Sequence, residues 1–94
     1  MEVIYLVAYD IADDRRREEV AAILSSYGAR VQLSVFECEL ADPATVEHVR
    51  GLLTRTIEPA EDQIRLYPLP AGSVRGTEII GNRRLEERAD FWIV

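Results

Sequence analysis

The sequence predicts an α+β domain in which two amphipathic helices cover one face of a small antiparallel sheet. The chain has 94 residues, the size of one domain, so residues 1–94 are expected to fold as a single unit. Segments rich in β-branched and aromatic residues alternate with two segments whose apolar residues recur at helical spacing. The composition, 48% hydrophobic and 30% charged, is that of an ordinary globular chain.

The first strand and the first helix are predicted in the opening third of the chain. Residues 2–11 are apolar on both faces, which is typical of a strand covered on both sides. Asp13 or Asp14 can cap the following helix, because a carboxylate accepts from the free amides of a first turn. Gly28 is expected to end this helix in the left-handed conformation. The apolar stripe of the helix consists of Val20, Ile23, Leu24 and Tyr27.

Two further extended regions are predicted in the middle of the chain. Residues 30–40 form either one long bent strand or two short strands broken near residues 33–34. Glu37 and Glu39 face away from the predicted core, where they are either solvated or meet a partner protein. Residues 64–69 alternate between apolar and polar side chains, which predicts another strand.

The second helix is predicted between these two extended regions. Asp42 can cap it, and Pro43 then occupies the first helical position, where a missing N–H group does no harm. Pro59 ends it, because proline cannot continue a helix. Its apolar stripe consists of Val46, Val49, Leu53 and Ile57.

The remaining elements complete a ferredoxin-like, split β-α-β arrangement. Residues 70–88 are polar and interrupted by glycine, with a short strand predicted at residues 78–80. Residues 90–94 are apolar again and predict an additional C-terminal strand. Two helices cover only one face of the sheet, yet the first strand is apolar on both, so a second copy is expected on the other face. The C-terminal strand is a suitable element to exchange with that dimer partner.

The composition excludes several classes of function. One cysteine and one histidine cannot form a disulfide within the chain, and they supply neither a zinc cage nor a Cys–His nucleophile pair. The longest apolar run, residues 3–9, is far shorter than the roughly 20 residues that cross a bilayer. No positive segment precedes it, so we expect a cytoplasmic protein without a membrane partner. The net charge of −6 argues against an extended nucleic-acid-binding surface and allows a local one.

Asp10 is the first candidate site residue, because it closes the apolar run of the first strand. A carboxylate at the end of a buried strand needs a hydrogen-bond partner or a metal ion. Asp10 can simply cap the turn into the first helix. Alternatively, two copies of Asp10 in a dimer can share a divalent cation, which would activate a water molecule against a phosphodiester. Tyr9, next to Asp10, could orient the carboxylate or that water.

The second candidate is a cluster of arginines, which supply all eleven basic residues of the chain. Three of them begin the first helix, where cations oppose the helix dipole and a bound phosphate would compensate them. Ion pairs with neighbours such as Glu18 and Glu19 are the other explanation, and both stay open. The candidate phosphate ligands are Arg15, Arg16, Arg17 and Arg30.

Three blocks in a fixed order resemble a known family. They are YDIADD at residues 9–14 with Arg17 after it, RVQLSVFECEL at residues 30–40, and IRLYPL at residues 64–69. This set is similar to the small CRISPR-associated adaptation proteins that are partners of the CRISPR integrase. The resemblance implies a homodimer whose C-terminal strands cross between subunits, with Asp10 of both copies facing a cleft that holds Mg²⁺ or Mn²⁺. The positions that match residues around that cleft are Tyr9, Asp10, Arg17, Arg30, Ser34 and Phe36.

The resemblance also implies a function in antiviral defense. Such a protein would bind duplex DNA without reading its sequence, together with the integrase, during spacer acquisition. Members of the family are credited with metal-dependent cleavage of single-stranded RNA, with cleavage of duplex DNA, or with no catalysis and a scaffolding role, so the resemblance leaves open whether this chain is a metal-dependent endonuclease. Two alternatives stay open because a fold does not fix a function: a toxin-type endoribonuclease and a non-enzymatic module that binds a small ligand.

Overall fold

The computed structural model describes residues 3–81. These residues form four strands and three helices, and the first six of these seven elements follow the predicted order. The predicted strand at residues 90–94 and its exchange with a partner lie outside the described residues, so both stay predictions. In chain order the elements are β1 (Val3–Asp10), α1 (Asp14–Ser25), β2 (Gly28–Gln32), β3 (Val35–Leu40), α2 (Pro43–Thr56), β4 (Gln63–Leu69) and α3 (Ala71–Arg75).

The sheet has the strand order β2-β3-β1-β4, and every neighbouring pair is antiparallel. β1 therefore lies in the centre, between β3 and β4. Helices α1 and α2 pack on one face of this sheet, and their buried residues form one core with the strands. The predicted α+β, ferredoxin-like fold with two helices on one face is confirmed. No helix within residues 3–81 is long and apolar enough to span a bilayer.

The core lies between the helices and the inner face of the sheet. On β1, Val7 and Tyr9 point inward, whereas Ile4, Leu6 and Ala8 point to the opposite side, because successive strand residues alternate. Helices α1 and α2 lie on the core side, and the only other helix within residues 3–81 is the short α3, which contacts β1. We call it the open face. The fully buried large side chains on the helix side are Phe36, Leu24, Leu40, Val7, Val20, Val49 and Cys38.

The helix starts and the middle strands agree with the sequence. Asp13 caps α1, with its carboxylate accepting from the main-chain nitrogen of Arg16 at 2.9 Å. Asp42 caps α2 by accepting from the main-chain nitrogen of Thr45 at 2.8 Å, which lowers the pKa of Asp42. Residues 30–40 prove to be two strands, β2 and β3, with an irregular register between Arg30 and Gln32.

The prediction that Gly28 ends the first helix is wrong. Helix α1 ends at Ser25, and its cap, Ser26, is right-handed. Gly28 is the first residue of β2, where a Cβ atom would lie 1.9 Å from the carbonyl oxygen of Glu37. The position therefore requires glycine because two backbones approach closely, not because of a left-handed conformation.

The predicted short strand at residues 78–80 is also wrong, and helix α3 was missed. Residues 77–80 have no regular structure, whereas Ala71–Arg75 form a short helix. A strand needs a neighbour for its backbone hydrogen bonds, and within residues 3–81 no sheet edge pairs with this segment. Ile79 and Ile80 are consequently 86% and 98% exposed.

Candidate functional site

Asp10 lies at the end of β1, on the open face, opposite Gln63 of β4. Its side chain is exposed, so the expectation of a buried strand end is wrong: the pairing of β1 with β3 stops at Ala8, and Asp10 has a neighbouring strand only on the β4 side. Nor does Asp10 cap the first helix, because Asp13 has that role. Asp10 is therefore an accessible carboxylate beside a carboxamide, with no structural task within the described residues.

Tyr9 points to the other side of the sheet. It is 6% exposed, and its hydroxyl donates to the carbonyl oxygen of Leu33 at 3.3 Å and accepts from Nη2 of Arg30 at 3.2 Å. Adjacent strand residues alternate between faces, so the Tyr9 hydroxyl does not reach the carboxylate of Asp10 in the same chain. The idea that Tyr9 orients Asp10 is corrected accordingly: the observed contacts of Tyr9 are structural.

Arg30 and Phe36 belong to the cluster around Tyr9. The Arg30 guanidinium lies 5.1 Å from the centroid of the Phe36 ring, a cation–π contact. The rings of Phe36 and Tyr9 stack, with centroids 6.3 Å apart. Ser34 lies in the turn between β2 and β3, and its carbonyl oxygen accepts from the main-chain nitrogen of Tyr9 at 3.0 Å. The structure thus brings Tyr9, Arg30 and Phe36 together on the side of the sheet away from Asp10, with Ser34 in the adjoining turn.

The three arginines of α1 do not share one surface. Arg15 is 88% exposed and pairs with Glu19 at 3.3 Å, and Arg17 pairs with Asp14 at the start of the same helix. Arg16 turns the other way, toward the segment between α2 and β4. The predicted phosphate-binding cluster is therefore corrected for Arg16, whose guanidinium is used within the fold. Surface ion pairs, the other explanation offered by the sequence, account for Arg15 and Arg17.

Asp62 is the polar residue that sequence reasoning missed. Its buried carboxylate accepts from the main-chain nitrogens of Ala12 at 3.0 Å and Glu58 at 2.9 Å, and from Nε of Arg16 at 2.8 Å. The Arg16 guanidinium holds the pKa of this carboxyl well below its usual range, and Asp62 raises the pKa of Arg16 in return. Glu61 supplies a second, exposed partner for Arg16 at 2.9 Å. The only sequence signal was the acidic pair at residues 61–62, between α2 and β4.

The open face carries charge on both sides of its apolar centre. On β4, Arg65 donates through Nε to Oε1 of Gln63 at 2.8 Å and through Nη1 to the Tyr67 hydroxyl at 3.1 Å. The contact with Tyr67 raises the pKa of Arg65. On β3, Glu37 and Glu39 point to the same face. Because β1 separates these strands, Arg65 lies on one side of the apolar residues of β1 and the two glutamates of β3 lie on the other, with Asp10 at one end.

Asp10 is the carboxylate that the sequence indicated as a ligand for a divalent cation. Within residues 3–81, no three side chains of His, Cys, Asp or Glu come together in an arrangement that could hold a metal ion. Mg²⁺ is bound through one or two carboxylates and completes its shell with water. One chain supplies one such carboxylate, Asp10, and two copies that brought their Asp10 side chains together would supply two.

Comparisons with known proteins agree with these observations. The family described as "CRISPR associated protein Cas2" matches residues 2–76. A CRISPR-associated endonuclease Cas2 from Thermus thermophilus is 48% identical over 91 residues, which cover 97% of this chain and 96% of that protein. The crystal structure of Streptococcus pyogenes Cas2 superposes with a TM-score of 0.75 at 36% identity, covering 83% of this chain and 99% of that one.

A further solved structure, a partial Cas6-RT-Cas1–Cas2 complex, contains a similar chain. It superposes with a TM-score of 0.72 at 28% identity and covers 83% of this chain and 84% of that one. The family match spans most of the described residues, including both ends of the sheet where the candidate side chains lie. The chain belongs to the Cas2 family of CRISPR-associated proteins.

Proposed function

We propose that this protein acts in CRISPR spacer acquisition, as a homodimer that assembles with a Cas1 integrase and binds duplex DNA. The observation that carries the proposal is the likeness, at 28% identity, to a chain solved within a Cas1–Cas2 complex. The open face supports a dimer, because it presents apolar residues of the central strand that no long helix covers within residues 3–81. The exposed Ile79 and Ile80 offer further apolar surface to a second copy.

The DNA-binding surface is proposed to include Arg15 and Arg17. Both lie at the end of the molecule where β1 stops and α1 begins, close in sequence to Asp10. Their present partners are surface carboxylates, and such exposed pairs contribute little to stability, about 0–1 kcal/mol. A DNA phosphate can therefore replace Glu19 or Asp14 at low cost. Arg30 is less suited to this exchange, because its guanidinium packs on the Phe36 ring.

The salt dependence of DNA binding tests this surface. Replacing Arg17 with Ala should weaken duplex binding and reduce the slope of log K against log salt by about one, because one phosphate contact is lost. Arg75→Ala is the matched control, since Arg75 ends α3 at the opposite end of the strands. Equal slopes for the two variants would remove Arg17 from the proposed surface.

A second candidate activity is metal-dependent phosphodiester hydrolysis, favoured by the name endonuclease of the Thermus relative. Asp10 of each copy would hold Mg²⁺ or Mn²⁺, and the bound cation would supply an activated water molecule. Within this chain, Asp10 would provide the carboxylate and Gln63 a neighbouring carboxamide. An Mg²⁺-dependent rise in Tm that Asp10→Asn abolishes would support the cation site independently of any cleavage.

One pair of assays separates the two activities. The wild type and the Asp10→Asn variant are each tested for cleavage of RNA and duplex DNA, and for spacer integration with the cognate Cas1. Cleavage that Asp10→Asn abolishes would establish hydrolysis, whereas equal cleavage by both would point to a contaminating nuclease. Integration should survive in Asp10→Asn, because DNA positioning does not need the carboxylate. Failure of the wild type to assemble with Cas1 would contradict the main proposal.

A further inference from the structure

We infer that Asp62 is a positioning residue for the DNA-binding surface, because it fixes the direction in which Arg17 leaves the first turn of α1. This inference rests on the DNA binding of the proposed function and adds to it a residue that does not touch the DNA. The proposed function requires only that Arg17 contacts a phosphate. It does not require that a second residue prepares this contact.

The first step is that the Asp62 carboxylate is fully occupied by donors from two parts of the chain. Oδ1 accepts from the main-chain nitrogen of Ala12 at 3.0 Å and from Nη2 of Arg16 at 3.2 Å. Oδ2 accepts from Nε of Arg16 at 2.8 Å and from the main-chain nitrogen of Glu58 at 2.9 Å. Among residues 3–81, Asp62 is the one polar or charged residue that is buried. A buried carboxylate with four donors has one favourable orientation, so it holds the groups that bind it in place.

The second step is that these bonds fix the rotation of α1 about its own axis. The two bonds to Arg16 form a bidentate pair, which holds the planar guanidinium in one orientation. The bond to Ala12 fixes the chain directly before the helix cap, Asp13. Successive helix residues are rotated by about 100°, so a fixed direction for Arg16 also sets the direction of Arg17. Arg17 is thereby held at the surface, where it pairs with Asp14.

The third step is that the first turn of α1 needs such an anchor. It carries three arginines, at residues 15–17, at the positive end of the helix dipole, where cations are unfavourable. Asp14 within the turn and the cap Asp13 offset part of this charge. Asp62 supplies a third carboxylate from outside the helix, and it is the only one of the three that is buried. Salt screens buried pairs less than exposed pairs, so this anchor persists at the ionic strength of a binding experiment.

Long-range electrostatics predicts the opposite effect for the loss of Asp62. Asp62→Asn removes one negative charge from a chain with a net charge of −6, which by itself favours binding to a polyanion. It also releases the Arg16 guanidinium from its buried partner, so that Arg16 could reach a phosphate. If Asp62 only stabilises the fold, the folded variant should bind DNA at least as tightly as the wild type. A positioning role predicts weaker binding.

Duplex binding tests these opposite predictions, at a temperature where circular dichroism shows every variant to be folded. Asp62→Asn should raise the Kd roughly tenfold, about the loss of one charge-assisted contact. Glu61→Gln is the matched control, because it removes the same charge from the neighbouring position, which contacts Arg16 from the surface. Its Kd should not rise. Asp42→Ala removes the cap of α2 and controls for a loss of stability alone.

A double-mutant cycle shows whether Asp62 acts through Arg17. In the Arg17→Ala background, Asp62→Asn should change the Kd by less than about threefold, because the contact that Asp62 positions is already absent. A merely structural effect would be additive.

Arg16→Lys tests the same bond from the other side, and it decides the question if Asp62→Asn does not fold. The substitution keeps the charge but loses the bidentate pair with Asp62, so duplex binding should weaken. Arg50→Lys is the matched control, because Arg50 lies in α2 and pairs only with the exposed Glu47 among the ion pairs of residues 3–81. Its Kd should equal that of the wild type.

The possible results separate this inference from the proposed function. A wild type without affinity for duplex DNA, or an affinity that Arg17→Ala leaves unchanged, would overturn the proposed surface and this inference together. Binding that Arg17→Ala weakens, and that Asp62→Asn leaves equal or makes tighter, would overturn the inference alone. A loss in Asp62→Asn that adds in full to that of Arg17→Ala would also overturn it, because Asp62 would then act elsewhere.

Discussion

The carboxylate of Asp62 accepts a hydrogen bond from the main-chain amide of Ala12 at 3.0 Å, across a sequence separation of 50 residues. The same carboxylate binds Arg16 in α1 and the amide of Glu58 after α2. The side chain of Asp62 thus links the loop that follows Asp10 to the segment between α2 and β4 by hydrogen bonds. The conformation of the candidate site depends on a residue that lies outside it.

Replacing Asp62 with Asn should lower Tm by roughly 10 °C. The Arg16 guanidinium and the main-chain amides of Ala12 and Glu58 would lose a charged hydrogen-bond acceptor. Glu61→Gln is the matched control, since Glu61 binds the same Arg16 from an exposed position. Its Tm should change by less than about 3 °C, as expected of a surface ion pair. Thermal unfolding followed by circular dichroism measures both. Similar losses for the two variants would show that Asp62 is not the main anchor.

The stability contributed by Asp62 should depend on pH in the acid range only. The pKa of Asp62 is lower in the folded protein than in the unfolded chain, where it is about 3.9, so the folded state binds fewer protons. The contribution is then complete above about pH 4 and is lost as the pH falls toward the folded-state pKa. The Tm difference between wild type and Asp62→Asn should be constant from pH 7 to 5 and shrink from pH 4 to 2. A difference that grows on acidification would contradict the assignment.

Gly28→Ala should destabilise the fold strongly, by roughly 3 kcal/mol or more, because the added methyl group meets backbone atoms of β3 that cannot turn aside. Gly72→Ala is the matched control: Gly72 lies in α3, and a Cβ there has no atom within 4 Å. That variant should be neutral or more stable by up to about 1 kcal/mol, the difference in helix propensity. Urea unfolding measures both free energies. Equal stability of the two variants would mean that β2 can move away from β3.

Cys38 should react slowly with thiol reagents in the native protein. Burial raises the pKa of its thiol to about 11, and its Sγ lies within the core, 3.8 Å from the carbonyl oxygen of Leu24. At pH 8 the thiolate fraction is then more than about a hundredfold lower than that of an ordinary cysteine with a pKa near 8.5. The rate of alkylation of Cys38 is measured for the native protein in buffer and for the unfolded protein in guanidinium chloride. A native rate equal to the denatured rate would place Cys38 at an accessible position.

The elements that the sequence predicted well are those whose signals are local. The stripe from Val20 to Tyr27 reports burial on one side of a helix, and the caps Asp13 and Asp42 act on amides three residues away. The two helices and the strand pattern follow from these signals. The role of Gly28 could not be predicted, because it depends on the approach of Glu37 from another strand.

The candidate site was harder to predict for the same reason. Arg16 and Arg17 are adjacent and chemically identical, yet about 100° of helix rotation separates them. That rotation turns Arg16 toward Asp62 and leaves Arg17 at the surface with Asp14. The sequence therefore indicated one cluster of cations. The fold instead has one partly buried ion pair, between Arg16 and Asp62, and two exposed ion pairs, made by Arg15 and Arg17. Arg65 was predicted only as a strand residue. Its position on the open face follows from the pairing of β4 with β1, which the sequence alone did not show.

The strand order has a consequence for how related sequences are interpreted. Glu37 and Arg65 face the same side of the sheet, but β1 always lies between their strands. If substitutions at these two positions are correlated across relatives, the correlation does not come from a direct contact between the two side chains within one molecule. A folding method that treated it as an intramolecular restraint would draw β3 onto β4 and displace the central strand. A correlation between these two positions would therefore be a poor restraint for folding a single chain.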